Sequence, residues 1–556
     1  MLLKAPRLFA VFNAALLLAA PAHAQLGDAL DGKLRDLLPD QPEWPTLESN
    51  TPELKPAGAF TPATTAQDSL YVQSTFRVGS VLIESSDDLD HAIFEKAIEP
   101  FLGTEASSAD LARLAQEIAA AAQTSGMPLA YAYVPPQTVD LGIVRVILTV
   151  GAIDAVRIEG SSNAALSGLL SELSGKVVLQ AELERQLLLA NDLPGITVNS
   201  AEFVVENSRR ILVVRVAEEP ESRIRFAVDN SGSRNIGPLR GRMVLDTSAL
   251  LNDSDAVSAM IQTNPVDPDE LLGASLAYSI GVNRRGTRVS ALVARSQSQM
   301  GSQRDFDTQE IKSQYVSAVI SHPLRRLRGS SAWLEGQIEY ISIEQEFQDA
   351  LVASDTVVTL SASLASSMNV HNGWLRSGIQ VRQGVGIFGA GSPDTGLSSR
   401  PDADGEYSSA RAWINWTGNP SRNLVLRLAM SGQLASEPVP SSEEFTLGGA
   451  YIGRGYEPYI LSGDQGVLAS AELGYEFAEP ASWLDRLEPY VFVDGGWVDQ
   501  FRSGYGGGGL MSGGGGMRAD VGPVDLQLET ASPIAWDAEG DKEDASRINF
   551  RIGVGF

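Results

Sequence analysis

The chain has 556 residues, 69 acidic against 42 basic side chains, a net charge of -27, 53 glycines and no cysteine. At about 150 residues per domain this length allows three or four modules, or small modules joined to one large one, and the missing cysteines exclude disulfide staples, thiolate metal sites, iron–sulfur clusters and cysteine nucleophiles. The acidic excess excludes a surface that tracks nucleic-acid phosphates, whose affinity depends on Lys and Arg, and the hydrophobic content of 43% is not that of a disordered chain.

Residues 1–24 begin with Lys4 and Arg7, continue through an apolar stretch from Leu8 to Ala20 and end on Ala22-His23-Ala24. This is the pattern of a secretory signal peptide cleaved between Ala24 and Gln25, with Ala22 and Ala24 as the small residues of the cleavage site. The apolar stretch is shorter than the ~20 residues that a spanning helix needs. Over 25–38, Leu26, Leu30, Leu34 and Leu37 recur at helical spacing among charged residues, which predicts an amphipathic helix stopped by Pro39. Six prolines between Pro39 and Pro62 make 39–70 a linker.

Two similar units follow. In 71–151 the signals are a strand (Thr75–Ile83), a helix (Leu89–Phe101), a helix opened by Ser107 with Asp110 three residues on, and strands over Leu129–Val134 and Gly142–Val150. In 152–219 the order β-α-α-β-β recurs, with strands at Ile153–Ile158, Ile196–Val205 and Ile211–Val216 and helices at Ala164–Leu173 and Gln180–Asn191. Two tandem copies of one unit constitute an internal repeat.

From 220 to 556 helical periodicity disappears and period-two segments follow one another, about sixteen in all, the range of outer-membrane barrels. In the last of them Ile548, Phe550, Ile552, Val554 and Phe556 project to one face. Seven of the eight tryptophans lie in this region, which reads as interfacial girdles. A soluble array of β-sandwiches would expose fewer aromatic residues. The expected fold is therefore an all-β membrane domain, a 16-stranded antiparallel transmembrane β-barrel, preceded by two α+β modules and an N-terminal amphipathic helix.

Catalytic constellations are missing from the sequence. The four histidines, 23, 91, 322 and 371, are scattered, and no metal or cofactor is expected. Gly504 to Gly509 formally matches a dinucleotide fingerprint, but no helix follows it, so Gly504–Gly516 reads as a hairpin loop or small-residue barrel wall. Acid pairs such as Glu443-Glu444 read as solvated loop faces. A long connection, about Ala435 to Gly463, contains Leu447-Gly448-Gly449 and Arg454-Gly455-Tyr456. Connections of that length are functional or disordered, and this one is rich in glycine and aromatic residues. In Tyr490-Val491-Phe492-Val493-Asp494-Gly495-Gly496, period two puts Asp494 on the face of Tyr490 and Phe492. An acid there calls for a partner, and Arg454, on a loop folded back into the lumen, is the candidate.

These residues resemble the two-partner secretion transporters (TpsB type, ShlB/FhaC-like), the haemolysin- and adhesin-exporting branch of the outer-membrane assembly superfamily. The resemblance rests on the tethered helix, the two β-α-α-β-β units, Tyr133-Val134-Pro135-Pro136-Gln137, Leu193-Pro194-Gly195 and Val228-Asp229-Asn230-Ser231-Gly232. Its most specific part is the run Glu444-Phe445-Thr446-Leu447-Gly448-Gly449 through Arg454-Gly455-Tyr456 to Gly463-Asp464-Gln465-Gly466, with Glu472-Leu473 after it. One departure is Gly453, where the family usually has a Val-type residue, and it is expected to loosen the loop tip.

The resemblance implies that the repeated units are polypeptide-transport-associated (POTRA) domains in the periplasm and that the run is an extracellular loop inserted into the lumen. It makes the segment of Asp494 and Gly495 the matching wall motif and the helix 25–38 a plug. Such a protein, a monomer in the outer-membrane lipid, takes an unfolded exoprotein of the haemolysin or adhesin type through its POTRA domains and passes it to the cell surface. It is no enzyme. The rivals are an insertase of the same superfamily, which usually carries more POTRA units, an outer-membrane enzyme, which would need a His/Ser/acid set on the barrel rim, and a passive porin, which needs no POTRA unit.

Overall fold

The computed structural model describes residues 53–55, 76–85, 90–137, 139, 141–207, 209–219, 222–234, 236–300, 309–390, 397–501, 507–538 and 545–556. The signal peptide with Ala22 and Ala24, the helix of Leu26, Leu30, Leu34 and Leu37, and all of the linker but Glu53–Lys55 lie outside the described residues. The described chain divides into an N-terminal unit of two α+β modules and a β-barrel.

In the first module the strand Ile143–Thr149 is central, parallel to Ser80–Ser85 and antiparallel to Tyr131–Tyr133. Val144, Val146 and Leu148 alternate inward to meet Leu111, Leu114 and Ile118 of the helix Ser108–Thr124. That helix starts where it does because Ser107 and Asp110 satisfy each other's backbone amides, a capping box that contributes about 1 kcal/mol. The expected helix Leu89–Phe101 is a broken one: an α-turn, Glu95–Ile98, sits between 3-10 turns at His91–Phe94 and Glu99–Phe101. Pro100, which has no amide to donate, falls in the last of these.

The second module repeats the plan. Arg209–Glu218 is central, parallel to Ala155–Glu159 and antiparallel to Ile196–Glu206, over a core of Leu166, Leu170, Leu183 and Leu187 from the helices Ala164–Leu170 and Gln180–Asn191. Here a further strand is added. Glu53–Lys55 runs parallel along the edge of Ile196–Glu206, with Leu54 opposite Ala201.

Seventeen β-segments close the barrel; Gln465–Tyr475 and Phe477–Ala481 run along the same neighbour, Leu484–Asp499, and are two pieces of one strand, which leaves sixteen. The ring closes between Ser222–Asp229 and Arg547–Gly555, with Phe226 opposite Val554 and Val228 opposite Ile552. The side chain of Asn230 lengthens this seam by bonding the carbonyl of Ile548 and the amide of Phe550. Connections at one end are short, such as 328–329 and 371–372, and those at the other include 385–407 and 436–464. His371 and Asn372, both at positive φ, form one of the tight turns, so that histidine shapes a hairpin.

Alternation sets the two faces. Leu276, Val316, Leu364, Leu428, Val491 and Leu528 stand outward and exposed, while Ser317, Glu339, Arg411, Asp494 and Arg518 are buried on the inner side. An apolar belt of this extent far exceeds the few hundred Å² that a soluble surface tolerates and matches the lipid face of a membrane barrel. Strands outrun the segments expected from sequence. Ala350–Val370 has 21 residues, and at about 3.3 Å per residue it is far longer than the ~25 Å apolar band requires.

The girdle reading of the tryptophans needs correction. Trp483 and Trp497 are exposed, but Trp333 is buried, and Trp536 faces the lumen. Trp536 owes this to a β-bulge: Met511 pairs with Ala535 and Ser512 with Pro533, so Ile534 is an extra residue that reverses the faces beyond it. Proline is at home there because a bulge asks no ladder bond of it.

Candidate functional site

The connection 436–464 folds back as a hairpin whose limbs pair Phe445 with Gly463 and Leu447 with Leu461. Its apolar side chains, Phe445, Leu447, Ile452, Tyr456 and Leu461, are buried against Leu468, Val498 and Leu510 of the barrel wall. Two wall glycines make room for them. A Cβ on Gly466 would lie 2.6 Å from the Phe445 ring, and one on Gly496 2.5 Å from Leu447. The limbs are therefore seated in notches that any larger residue would fill.

At the tip, Arg454 and Asp494 come together. Arg454 Nε donates to Asp494 Oδ2 at 2.8 Å, and the amide of Gly453 donates to Asp494 Oδ1, also at 2.8 Å. Ser512 donates to the same Oδ1. The guanidinium lies 3.7 Å from the centroid of the Phe492 ring, a stacking that a planar, weakly hydrated cation favours. Asp494 therefore uses both oxygens, and the inward register of Tyr490, Phe492 and Asp494 against outward Val491 and Val493 is the one expected. Sequence reading did not find the rest of the arginine's partners. Glu472 and Glu529 each approach Arg454 Nη1 at 3.2 Å, and Ser470 accepts from Nη2 at 3.3 Å. Glu472 also receives a two-pronged bond from Arg518, at 2.7 and 3.0 Å, and one from Arg427 at 3.1 Å. Glu472 stands in the run that carries the family resemblance, though not as a partner of the arginine, while inward position on adjoining strands is the one signal for Ser470 and Glu529.

Gly455 and Tyr456 dock on the bulge at Ile534. A Cβ on Gly455 would stand 2.7 Å from the carbonyl carbon of Ser532 and 2.8 Å from the nitrogen of Pro533, so only glycine permits this approach. Tyr456 stacks at 5.6 Å on Trp536 and donates its hydroxyl to the carbonyl of Ala535 at 2.6 Å, with the carbonyl of Met511 at 3.3 Å. Gly495 lets the neighbouring strand come close, since a Cβ there would meet the carbonyl of Leu510 at 2.4 Å. Gly453 takes φ +74°, and a Cβ would lie 2.8 Å from Leu510 and 3.0 Å from Gly448. A β-branched residue would be strained in that conformation. Its bonded amide makes Gly453 an anchor of the tip, contrary to the loosening expected of it.

Glu443 and Glu444 correct a second expectation. Both are fully buried and salt-bridged to arginines, Glu443 to Arg382 and Arg411 and Glu444 to Arg400. Burial, as the largest cause and with the nearby Asp464 charge adding to it, holds the Glu444 carboxyl up at about 8 against the opposing pull of Arg400, Gln500 and Ser462. Among the described residues no group of three or more His, Asp or Glu is arranged to hold a metal ion.

Residues 209–519 match the family described as haemolysin secretion/activation protein ShlB/FhaC/HecB, and residues 76–151 match the ShlB-type POTRA domain. The heme/hemopexin transporter protein HuxB of Haemophilus influenzae (strain 86-028NP) is 22% identical over 435 residues, covering 75% of this chain and 74% of that protein. The hemolysin transporter protein HpmB of Proteus mirabilis is 23% identical over 392 residues, covering 67% and 68%. Among solved structures, CdiB from Escherichia coli has a TM-score of 0.74 at 18% identity, covering 90% of this chain and 94% of its own. CdiB from Acinetobacter baumannii has a TM-score of 0.66 at 16% identity, covering 92% and 95%. Both share the fold.

Proposed function

We propose a function from one premise: the chain belongs to the haemolysin secretion/activation protein ShlB/FhaC/HecB family. It is a two-partner secretion transporter. Its substrate is an unfolded exoprotein of the haemolysin or adhesin type, in line with the haemolysin and heme/hemopexin transporters among its relatives. The barrel lies in the outer membrane with the α+β modules in the periplasm, and the second module, with the strand order of the first, is a second POTRA domain. The chain acts as a transporter and carries out no chemistry on its substrate.

The observation that carries this reading is a sixteen-stranded barrel with an inward-folded hairpin, preceded in the chain by a ShlB-type POTRA domain. A passive porin needs neither part. Sheet edges in the modules suit an extended client because main-chain bonds supply affinity without requiring one side-chain sequence. That Glu53–Lys55 lies along the edge of Ile196–Glu206 supports this mode, as a strand already added there. Arg454 with Asp494 is read as a lock holding the loop tip, Gly455, Tyr456 and Gly495 as the residues that let it close, and the helix 25–38 as a plug that leaves before a client passes.

The test is secretion. Cells expressing this chain with its cognate exoprotein are expected to release that exoprotein to the surface or medium. Removal of residues 76–151 is expected to trap it in the periplasm. Release unchanged by that removal would sink the proposal.

A further inference from the structure

The tip is one of two places where the hairpin is held. At its root, where the limbs leave the barrel, the guanidinium of Arg400 reaches in from the connection 385–407. Its Nη1 donates to Glu444 Oε1 at 2.5 Å, Asp464 Oδ1 at 2.7 Å and the carbonyl of Val439 at 2.9 Å. Its Nη2 donates to Asp464 Oδ2 at 3.0 Å and Gln500 Oε1 at 2.7 Å, while Asp402, two residues on, accepts from Nε at 3.1 Å and from Nη2 at 3.3 Å. Arg400 is 3% exposed, so these bonds are made away from water, where charge-assisted pairs are strongest.

The acceptors belong to different pieces of chain. Val439 and Glu444 lie on the outgoing limb, Asp464 ends the returning limb, and Gln500 follows the strand Leu484–Asp499. Asp464 also accepts the amides of Val439 and Phe501, at 2.8 and 2.9 Å, so one carboxylate ties both limbs to the next connection. Beside it Glu443 takes Arg382 at 2.8 and 2.9 Å and Arg411 at 3.0 Å from the wall. The serine hydroxyls of Ser399 and Ser441 meet at 3.1 Å across the same junction. Arg454 reaches none of these groups.

We propose that Arg400 is a positioning residue for export: it fixes the root of the lumen loop by gathering Glu444, Asp464 and Gln500 onto one guanidinium, and this root, independent of the Arg454 tip, keeps the loop in the barrel. The inference rests on the secretion reading only for its purpose. Mechanically, it makes the loop a hairpin clamped at two ends, whose tip can be released while its root stays.

Because the chain has no cysteine, one introduced thiol reports alone. Thr446 is fully buried on the outgoing limb and its hydroxyl has no hydrogen-bond partner, so Thr446→Cys is a mild probe. Full-length protein in outer membranes of intact cells is treated with a charged, membrane-impermeant maleimide. The expected result is a protected thiol in the parent and in Arg454→Ala, and labelling faster by about tenfold in Arg400→Ala, as local opening at the root exposes the limb. Arg400→Lys, which keeps the charge and loses the fork, is expected to fall between. Heat-modifiable migration checks that the barrel is formed, and Asp464→Asn tests the same junction if Arg400→Ala does not assemble. Equal protection in Arg400→Ala and parent, or equal exposure in Arg400→Ala and Arg454→Ala, overturns the proposal. Labelling needs no client, so it separates failure of this inference from failure of the secretion reading.

Discussion

Tyr456 donates its hydroxyl to the carbonyl of Ala535 at 2.6 Å, directly beside Ile534, the extra residue in that strand. A defect in the ladder has become a socket. The bulge turns Trp536 inward to stack on the Tyr456 ring, and Gly455 touches the backbone of Ser532 and Pro533 beside it.

Deleting Ile534 removes the bulge and restores even pairing; Trp536 stays opposite Leu510 on the inner face, while the backbone on which Gly455 and Tyr456 dock is straightened. The loop tip then keeps its stacking partner and loses the local backbone shape that receives Gly455 and the Tyr456 hydroxyl. The deletion is expected to give a barrel with normal heat-modifiable migration and strongly reduced export. Tyr456→Phe, which keeps the stacking, gives up only the hydroxyl bonds, about 0.5–1.5 kcal/mol. Export unaffected by the deletion would show that the socket is dispensable.

Arg454→Ala strands Asp494, Glu472 and Glu529 around one vacated position. Losing one partner of a buried ion pair costs about 3–5 kcal/mol where water cannot enter. Export is expected to fall by an order of magnitude or more with the barrel still inserted, and Arg454→Lys to recover part of it, because a point charge cannot serve Asp494 and Phe492 in one plane. Secretion assays on equal amounts of folded barrel check both.

Glu444 gives the root a pH dependence. Its carboxyl faces Arg400, Asp464 and, beyond the guanidinium, Asp402, with Gln500 and Ser462 as neutral neighbours and Glu443 held apart by Arg382 and Arg411. Because the buried group titrates near 8 and a free one near ~4.3, its stabilising share is complete below the lower value and is lost as pH rises through the upper. Labelling of Thr446→Cys, corrected for thiol ionisation, is expected to be faster at pH 9 than at pH 6. Glu444→Gln is expected to remove the difference.

Leu54→Pro deletes an amide from the strand Glu53–Lys55. Backbone amides of Ile196–Glu206 that this strand covers are expected to exchange hydrogen faster by about tenfold, with the core strand Arg209–Glu218 unchanged. Identical exchange in both proteins would mean that the added strand protects nothing.

Much of this architecture is legible in the sequence because alternation is a local property. The inward set Tyr490, Phe492 and Asp494 follows from period two, and Ser107 with Asp110 announces a helix start. Legibility ends where partners are distant. Nothing near Glu443-Glu444 in sequence reveals that Arg382, Arg400 and Arg411 await them, so an acid pair that is solvated in most loops is here fully buried. Register changes are equally hidden. Pro533 within a strand is the one local sign of the bulge, and without it Trp536 reads as a lipid-facing girdle residue.

The seam imposes an order in time. Asn230 and Phe550 are joined across 320 residues of chain, so the first strand waits, with one edge unpaired, until the last has been made. Bringing ends that far apart together costs about 5 kcal/mol in chain entropy from the length dependence alone, and meanwhile both outer strands are templates for wrong partners. Closure is therefore the step at which assembly commits. A helper that shields two open edges while the intervening strands gather would speed it more than any change within the ring.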